Sequence, residues 1–193
     1  MDTDILLWIH RHSNEAFDAA FKFSWLLGTM WFCAPLVLLA GVLHLRRREG
    51  REALAWVLLA ISVAVLTELL KAAVGRARPT LWPWLLPTTG YSFPSGHAIA
   101  GAAFYPFLGW LVLRSRKRGG LGYALGFLVG AFVGVGRMYI GVHWPSDVLA
   151  GWAIGLALSI GVIAWLTRSS TPATTKQDQN RSRRSRPGDE ALH

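Results

Sequence analysis

Residues 53–74 read ALAWVLLAISVAVLTELLKAAV, a stretch in which Glu68 and Lys71 are the only charged side chains. A helix needs about 20 mostly apolar residues to cross a bilayer, so this stretch is long enough to span one. Of the whole chain of 193 residues, 52% is apolar and only 16% is charged, which excludes an ordinary water-soluble globule. Four more windows are similarly apolar, at residues 25–45, 98–113, 120–135 and 148–166. The sequence therefore predicts an all-α fold, a polytopic membrane helix bundle with five transmembrane helices.

The N-terminal segment and the C-terminal tail differ from this pattern. Residues 4–21 are interrupted between positions 10 and 18 by six charged or strongly polar side chains, too many to span, and they fit an amphipathic helix lying in the membrane interface. A sixth, poorly formed span is the alternative. We predict an interfacial helix in residues 1–24, a transmembrane domain in 25–167 and a disordered basic tail in 168–193, which is too polar to fold.

The placement of the 20 basic residues decides what the net charge of +9 means. Fourteen of them form three groups, each at the end of an apolar stretch, within residues 46–51, 114–118 and 168–186. Such groups are typical of cytoplasmic loops under the positive-inside rule, with contact to anionic headgroups as the alternative. We therefore expect membrane lipids rather than nucleic acid as partners. The C-terminal tail is expected in the cytoplasm and the N-terminus outside.

Small residues recur every four positions in the last two predicted spans. Glycines spaced in this way put an almost bare face on a helix, which lets two backbones approach closely in lipid. We expect tight packing inside one bundle, with a dimer seam as the alternative, and the oligomeric state stays open. The glycines concerned are Gly122, Gly126, Gly130, Gly134, Gly151 and Gly155.

Three polar clusters lie at the predicted outer ends of the helices. They read KAAVGRARP at residues 71–79, PSGH at 94–97 and GRMYIGVHWPSD at 136–147. They bring together four cations with little acid nearby, and such a set would repel itself unless an anion joined it. Arginine forks bind phosphate oxygens bidentately and lysine adds a point charge, so the clusters predict a phosphate site. The four cations are Lys71, Arg76, Arg78 and Arg137.

The same clusters supply groups for catalysis. Ser95 is a natural N-cap, and the amides of Gly96 and His97 after it would point out of a helix N-terminus toward an anion. His143 stands four residues before Asp147, whose carboxylate can fix the imidazole tautomer and free the other nitrogen to attack phosphorus. His97, which has no such carboxylate in its cluster, is placed to protonate a departing oxygen.

The three clusters contain, in this order, the patterns K-x6-R-P, P-S-G-H and R-x5-H-x3-D. Together they resemble the type 2 phosphatidic acid phosphatase family, integral-membrane lipid phosphatases related to glucose-6-phosphatase and the vanadium haloperoxidases. The resemblance covers roughly residues 25–166. It implies that Lys71, Arg78 and Arg137 bind the phosphoryl group with help from Ser95 and Gly96. It also implies roles for His97 as general acid, for His143 as the nucleophile that forms a phosphohistidine, and for Asp147 as the orienting partner of His143.

The sequence departs from the family pattern at two points. Most members have six membrane helices, and Gly136 stands where a serine usually precedes the arginine. One hydroxyl to phosphate is therefore missing, although the Gly136 amide could still donate, and we expect retained activity with altered affinity or selectivity. Arg76 lies outside the pattern and is either a further phosphate contact or an interface anchor. Glu68 is more readily read as an i,i+3 partner of Lys71 than as a proton relay.

Together these features predict a lipid phosphatase that uses no metal and no cofactor, since fixed cations take the place of magnesium. The apolar residues of the loop 79–94 are expected to border an entrance for a lipid tail. The sequence does not choose among four candidate substrates: undecaprenyl pyrophosphate, phosphatidylglycerol phosphate, phosphatidic acid and lipid A phosphate. A lipid phosphotransferase with the same histidine chemistry and a non-catalytic phospholipid-binding protein are the alternatives. The expected location is a bacterial inner membrane, with the site on the periplasmic or extracellular side.

Overall fold

The computed structural model describes residues 1–168, and the regular structure of that part of the chain is entirely helical. The predicted all-α membrane fold is confirmed. The basic tail predicted for residues 168–193 lies outside the described residues from position 169 onward. The helices are α1 Asp2–Arg11, α2 Glu15–Leu27, α3 Met30–Arg46, α4 Gly50–Val74, α5 Gly96–Leu113, α6 Gly119–Tyr139 and α7 Pro145–Arg168, with a 3₁₀ turn at Arg114–Arg116.

Within residues 1–168, four helices, α4 to α7, are long and apolar enough to cross a membrane. The pair α2 and α3 passes the same test only as one broken span, bent by 48° between its halves. The predicted number of five spans is therefore reached only if this bent pair crosses as one. α1 has 10 residues and rises about 15 Å, too short for a sixth span.

The N-terminal segment is two helices, so the single interfacial helix predicted there has the wrong boundaries. α2 begins at Glu15 because Asn14 caps it, its side chain accepting a hydrogen bond of 3.0 Å from the amide of Phe17. α2 then continues to Leu27, across the domain boundary predicted after residue 24. The first predicted window, 25–45, thus starts inside α2, and its helix proper begins at Met30.

Glycines join α5, α6 and α7 almost backbone to backbone. A Cβ atom on Gly122 would lie 2.0 Å from the carbonyl oxygen of Gly109, and one on Gly126 would lie 2.1 Å from that of Tyr105. On α7, a Cβ on Gly155 would lie 2.4 Å from the oxygen of Ile99. These approaches are possible only without side chains. The expected packing inside one bundle is confirmed, and it holds the N-terminus of α5 against the start of α7.

The other side of α5 packs on α4 through large side chains. Trp56 of α4 is fully buried, and its ring centroid lies 4.8 Å from that of Phe107 and 6.3 Å from that of Phe104. Burying aromatic rings in this way contributes most of the packing between two helices. α3 lies beyond α4, and both helices keep many apolar side chains exposed on the outer surface of the bundle.

Candidate active site

Backbone hydrogen bonds bring the three predicted clusters to one end of the bundle. The amide of Ser95 donates to the carbonyl oxygen of Asp147 (3.1 Å), which ties the start of α5 to the first turn of α7. The amide of Ser92 donates to the oxygen of Arg76 (2.8 Å), which ties the loop before α5 to the end of α4. Segments that lie up to about 70 residues apart in the sequence therefore form one site.

Arg78 is held in place by carbonyl oxygens. Its Nε donates to Gly90 (2.9 Å), its Nη1 to Val142 (2.9 Å), and its Nη2 to Thr89 (2.9 Å). A second Nη1 contact, of 3.1 Å, reaches Nε2 of His143. Burial lowers the pKa of Arg78 although Asp147 opposes the shift, and an arginine remains charged in a protein in any case. The guanidinium is therefore a fixed positive charge beside the imidazole.

His143 is 2% exposed and has its tautomer defined by its neighbours. A guanidinium can only donate, so Nε2 of His143 is the acceptor and its proton lies on Nδ1. Nδ1 faces Oδ2 of Asp147 at 3.6 Å, longer than a hydrogen bond, as is common for catalytic pairs without substrate. Burial, with the charges of Arg137 and Arg78, lowers the pKa of His143 to about 4 although Asp147 opposes the shift. The imidazole is neutral at pH 7, with its Nε2 lone pair on the side of the cations.

Asp147 is fully buried and is held by three donors. Its Oδ1 accepts from Nη1 of Arg76 (2.7 Å), and its Oδ2 accepts from the amide of Trp144 (2.8 Å) and from the hydroxyl of Ser92. Arg76 therefore has a contact that sequence reasoning did not predict, a direct ion pair with the carboxylate of Asp147. Ser92 was missed by sequence reasoning, and the only signal for it is a hydroxyl three residues before Ser95.

Arg137 and His97 carry buried polar atoms without partners. Arg137 is 2% exposed, yet its Nε and Nη1 have no hydrogen-bond acceptor within residues 1–168. Nε2 of His97 is also buried and unpartnered there. Lys71, Arg78, Arg137 and His143 all lie close enough to His97 to act on it electrostatically. Buried donors are normally satisfied, so these atoms mark a place for an anion.

The start of α5 lies beside these cations. Ser95 is fully buried, and its hydroxyl oxygen accepts a long bond of 3.4 Å from the amide of Ala98, so it is the predicted N-cap and its own proton is free to donate. The amides of Gly96 and His97 belong to the first turn, where the helix offers them no acceptor. Gly96 packs closely on α4, because a Cβ there would lie 3.0 Å from Cγ2 of Thr67.

Lys71 and Glu68 form an ion pair at the end of α4. Nζ of Lys71 lies 3.5 Å from Oε1 of Glu68, whose side chain is 76% exposed, whereas that of Lys71 is 22% exposed. Glu68 therefore lies outside the buried group of cations and takes the i,i+3 position expected of a partner. Lys71 is thus more accessible than the buried Arg137.

Gly136 does not fit the role predicted for its amide. It lies in the last turn of α6, where backbone N–H groups are already used inside the helix and only carbonyl groups are left over. A Cβ on Gly136 would lie 2.0 Å from Oγ of Ser24, which is fully buried and donates to the oxygen of Phe21 (2.8 Å). The space for a side chain at position 136 is therefore occupied by a hydroxyl from α2.

A cavity of about 760 Å³ begins at His97 and runs between α3 and α4. From Thr67 to Gly50, the part of α4 that borders it is about 25 Å long, close to the hydrocarbon thickness of a bilayer. Several of its apolar side chains are exposed on the outside of the bundle, so the cavity is open sideways to lipid. They include Leu38, Leu45, Leu54 and Val57.

The loop 79–94 does not border this cavity, contrary to expectation. Its Trp82 stacks on His10 of α1 with ring centroids 4.2 Å apart, and its Leu85 amide donates to the oxygen of Ile140 (3.4 Å). The side chain of Trp82 is thus used in packing against α1, whereas Leu81 and Tyr91 of the loop are exposed.

Comparison with known proteins identifies the family of this chain. The PAP2 superfamily model matches residues 52–170. Phosphatidylglycerophosphatase B of Bacillus subtilis is 31% identical over 136 residues, 68% of this chain and 66% of that protein. Undecaprenyl-diphosphatase of Sulfolobus acidocaldarius is 33% identical over 62% of this chain and 57% of its own length. The chain therefore spans less than two thirds of these relatives.

The fold is also found in a solved structure. The crystal structure of a transmembrane PAP2 type phosphatidylglycerolphosphate phosphatase from Bacillus subtilis superposes with a TM-score of 0.81 at 25% identity, covering 89% of this chain and 87% of that one. The family match, the helical architecture and the convergent histidines and cations lead to one conclusion. This chain belongs to the PAP2 superfamily and is an integral membrane protein with several spans.

Proposed function

We propose that the protein is a membrane lipid phosphatase that hydrolyses a lipid phosphate or pyrophosphate through a phosphohistidine, without a metal. The observation that carries the proposal is Arg137, a buried guanidinium whose Nε and Nη1 have no partner beside the unpartnered Nε2 of His97. A phosphoryl group supplies acceptors for the guanidinium and a leaving oxygen for the imidazole. Arginine is the side chain best suited to that geometry.

In the first step, Nε2 of His143 attacks phosphorus, so that an N–P bond forms and the P–O bond to the lipid breaks. Arg78, Arg137 and Lys71 bind the phosphoryl oxygens and stabilise the charge that spreads over them, with the Ser95 hydroxyl and the Gly96 amide as further donors. The proposed nucleophile is supported by the contact between Arg78 and Nε2, which keeps the lone pair on the cationic side.

His97 completes the cycle. It gives its proton to the departing alcohol or phosphate oxygen, and it then takes a proton from the water that cleaves the N–P bond and releases inorganic phosphate. Asp147 stabilises the Nδ1 proton of His143 while the imidazole gains positive charge. The metal-free mechanism is supported by the groups around His97, since the charges that act on it come from Lys71, Arg78 and Arg137.

A lipid substrate is supported by the cavity that starts at His97. It is lined almost wholly by apolar side chains and is open sideways, so a lipid can keep its tail in the membrane while its phosphate lies among the cations. Relatives are named for phosphatidylglycerophosphate and for undecaprenyl diphosphate, and both have long apolar tails. We propose these two, phosphatidic acid and lipid A phosphate as the candidate substrates.

The orientation follows from the arginine groups. Arg46, Arg47 and Arg48 end α3, and Arg116 and Arg118 follow α5, at the end of the bundle opposite to the catalytic residues. By the positive-inside rule this end faces the cytoplasm, and the site then faces the periplasm or the exterior. We place the protein in a bacterial inner membrane on this basis.

The decisive experiment measures phosphate release by purified protein in detergent with the four candidate lipids, in the presence of EDTA. We expect release from at least one lipid and its loss in His143→Ala. His44→Ala is the matched control, because His44 also pairs with a carboxylate, that of Glu49 at 2.6 Å, but at the cytoplasmic end. Activity that needs a divalent metal contradicts the mechanism. Loss of phosphate from the substrate only when an acceptor lipid is added, with the phosphate recovered on that acceptor, favours a phosphotransferase. No reaction with any lipid favours a phospholipid-binding protein.

A further inference from the structure

Asp2, on the first turn of α1, joins the group of residues that surrounds the catalytic carboxylate. Its Oδ2 accepts a hydrogen bond of 3.0 Å from Nη2 of Arg76 and another from the hydroxyl of Ser146. The side chain of Asp2 is 28% exposed, so the contact is partly shielded from water. Burial works against the charge of Asp2, but the bonds from Ser146 and Arg76 outweigh it and lower the pKa of this carboxyl.

Arg76 connects Asp2 to Asp147. While its Nη2 binds Asp2, its Nη1 donates to Oδ1 of Asp147 (2.7 Å) and to Oγ of Ser146 (2.7 Å). Its Cζ lies 5.3 Å from the centre of the Trp144 ring, which packs against the guanidinium. One cation is thus shared by two carboxylates, and the guanidinium is fixed at both of its terminal nitrogens.

The rest of α1 is docked so that this contact is maintained. Leu6 is fully buried, and His10 stacks on Trp82 at 4.2 Å. Trp82 in turn fills the space beside Gly141, where a Cβ would lie 2.6 Å from the indole nitrogen and where φ is +88°. Gly141 lies two residues before His143. α1 therefore contacts the segment around the proposed nucleophile directly at Ser146 and, through Trp82, at Gly141.

We infer that Asp2 is a positioning residue for the reaction, acting on Asp147 through Arg76. This inference rests on the proposed phosphatase function. Oδ2 of Asp147 faces the Nδ1 proton of His143, and its direction depends on how Oδ1 is held by Arg76. Without Asp2, Arg76 keeps one carboxylate partner instead of two and its Nη2 is free to turn toward water. The N-terminal helix is then part of the catalytic apparatus, in addition to any contact it makes with the membrane.

The test compares Asp2→Ala with Asp4→Ala. Asp4 is on the same helix two residues later, but its side chain is 82% exposed and its ion pair is with the terminal amine of Met1. Because an indirect contact changes the chemical step and not phosphate binding, we expect kcat of Asp2→Ala to fall about tenfold with KM within twofold of wild type. Asp4→Ala should differ from wild type by less than about twofold. Asp2→Asn keeps the shape of the side chain but not its charge, so its kcat should lie between those of Asp2→Ala and Asp4→Ala.

A double-mutant cycle separates positioning from general loss of structure. If Asp2 acts through Arg76, then Asp2→Ala combined with Arg76→Ala is no slower than Arg76→Ala alone. Equal kcat for Asp2→Ala and Asp4→Ala overturns the inference, as do independent, multiplying effects of the two substitutions or a change confined to KM. An inactive wild type refutes instead the phosphatase function on which the inference rests. Melting temperatures of all variants in detergent show whether each one is folded.

Discussion

Arg137→Met should make the protein more stable and inactive at once. Arg137 is 2% exposed, and two of its guanidinium nitrogens have no acceptor in the described part of the chain. Each buried, unpaired donor costs about 1–3 kcal/mol, and replacing buried charges by apolar side chains of similar volume commonly stabilises by about 1–4 kcal/mol. For a chain of this size that gain corresponds to a rise in melting temperature of about 3–10 °C.

The same substitution removes one of the proposed phosphate contacts. Losing one preorganised donor to the developing charge commonly costs about 100-fold or more in kcat, so we expect phosphate release to fall at least that far. Vanadate, a phosphate mimic, at about 100 times its Kd should stabilise the wild type by about 2.7 kcal/mol, because it binds only the folded state. It should stabilise Arg137→Met much less.

The assay is thermal unfolding in detergent, followed by tryptophan fluorescence with and without vanadate. Arg114→Met is the matched control, since Arg114 is paired with Glu52 at 2.7 Å and lies at the opposite end of the bundle. That variant should melt at or below the wild-type temperature and keep its activity and its response to vanadate. A lower melting temperature for Arg137→Met, or an equal vanadate shift in both arginine variants, would refute the assignment of Arg137 to an empty anion site.

Two further outcomes test the cavity and the contact at position 136. Gly41→Trp places a large ring in the cavity, where a Cβ on Gly41 has no neighbour within 4 Å. It should slow turnover of long-tailed lipid phosphates at least tenfold while sparing a short-chain phosphate. Gly161→Trp, at an equally open position outside the cavity, should leave both rates unchanged. Gly136→Ala should cost about 1–2 kcal/mol because its Cβ displaces the Ser24 hydroxyl, and Ser24→Ala in the same chain should recover most of that loss, as measured by melting temperature.

The residues that bear the proposed chemistry were predictable from the sequence because their types and spacings are specific. His97, His143 and Asp147 were identified from two short motifs, and the structure places them at one end of the bundle with the predicted cations. The apolar windows predicted α4 to α7, since an unbroken run of about 20 apolar residues is long enough to cross a bilayer and is rare in water-soluble folds. The glycine repeat likewise predicted close helix packing.

The contacts around Asp147 were not predictable. Arg76 and Ser92 bind the carboxylate only after the chain has folded, and Asp2 reaches it only through Arg76. No local spacing links residues that lie 55 to 145 positions away from Asp147. For the same reason an entrance for a lipid tail was expected beside the loop 79–94, although the loop does not border the cavity and its Trp82 packs on His10 of α1. The break between α1 and α2 was missed because apolar residues continue on both sides of Asn14.

The contrast between the two halves of the bundle has a consequence for how proteins with this fold diverge. Where α5, α6 and α7 meet through glycines, almost any substitution forces backbones apart, so that half tolerates little change. The cavity side is bordered by α3 and α4, whose side chains are exchangeable and partly open to lipid. Selection for a new tail can therefore remodel the lipid-facing side chains of α3 and α4, while the glycine packing of α5, α6 and α7, on which the placement of His97 and His143 depends, is inherited intact.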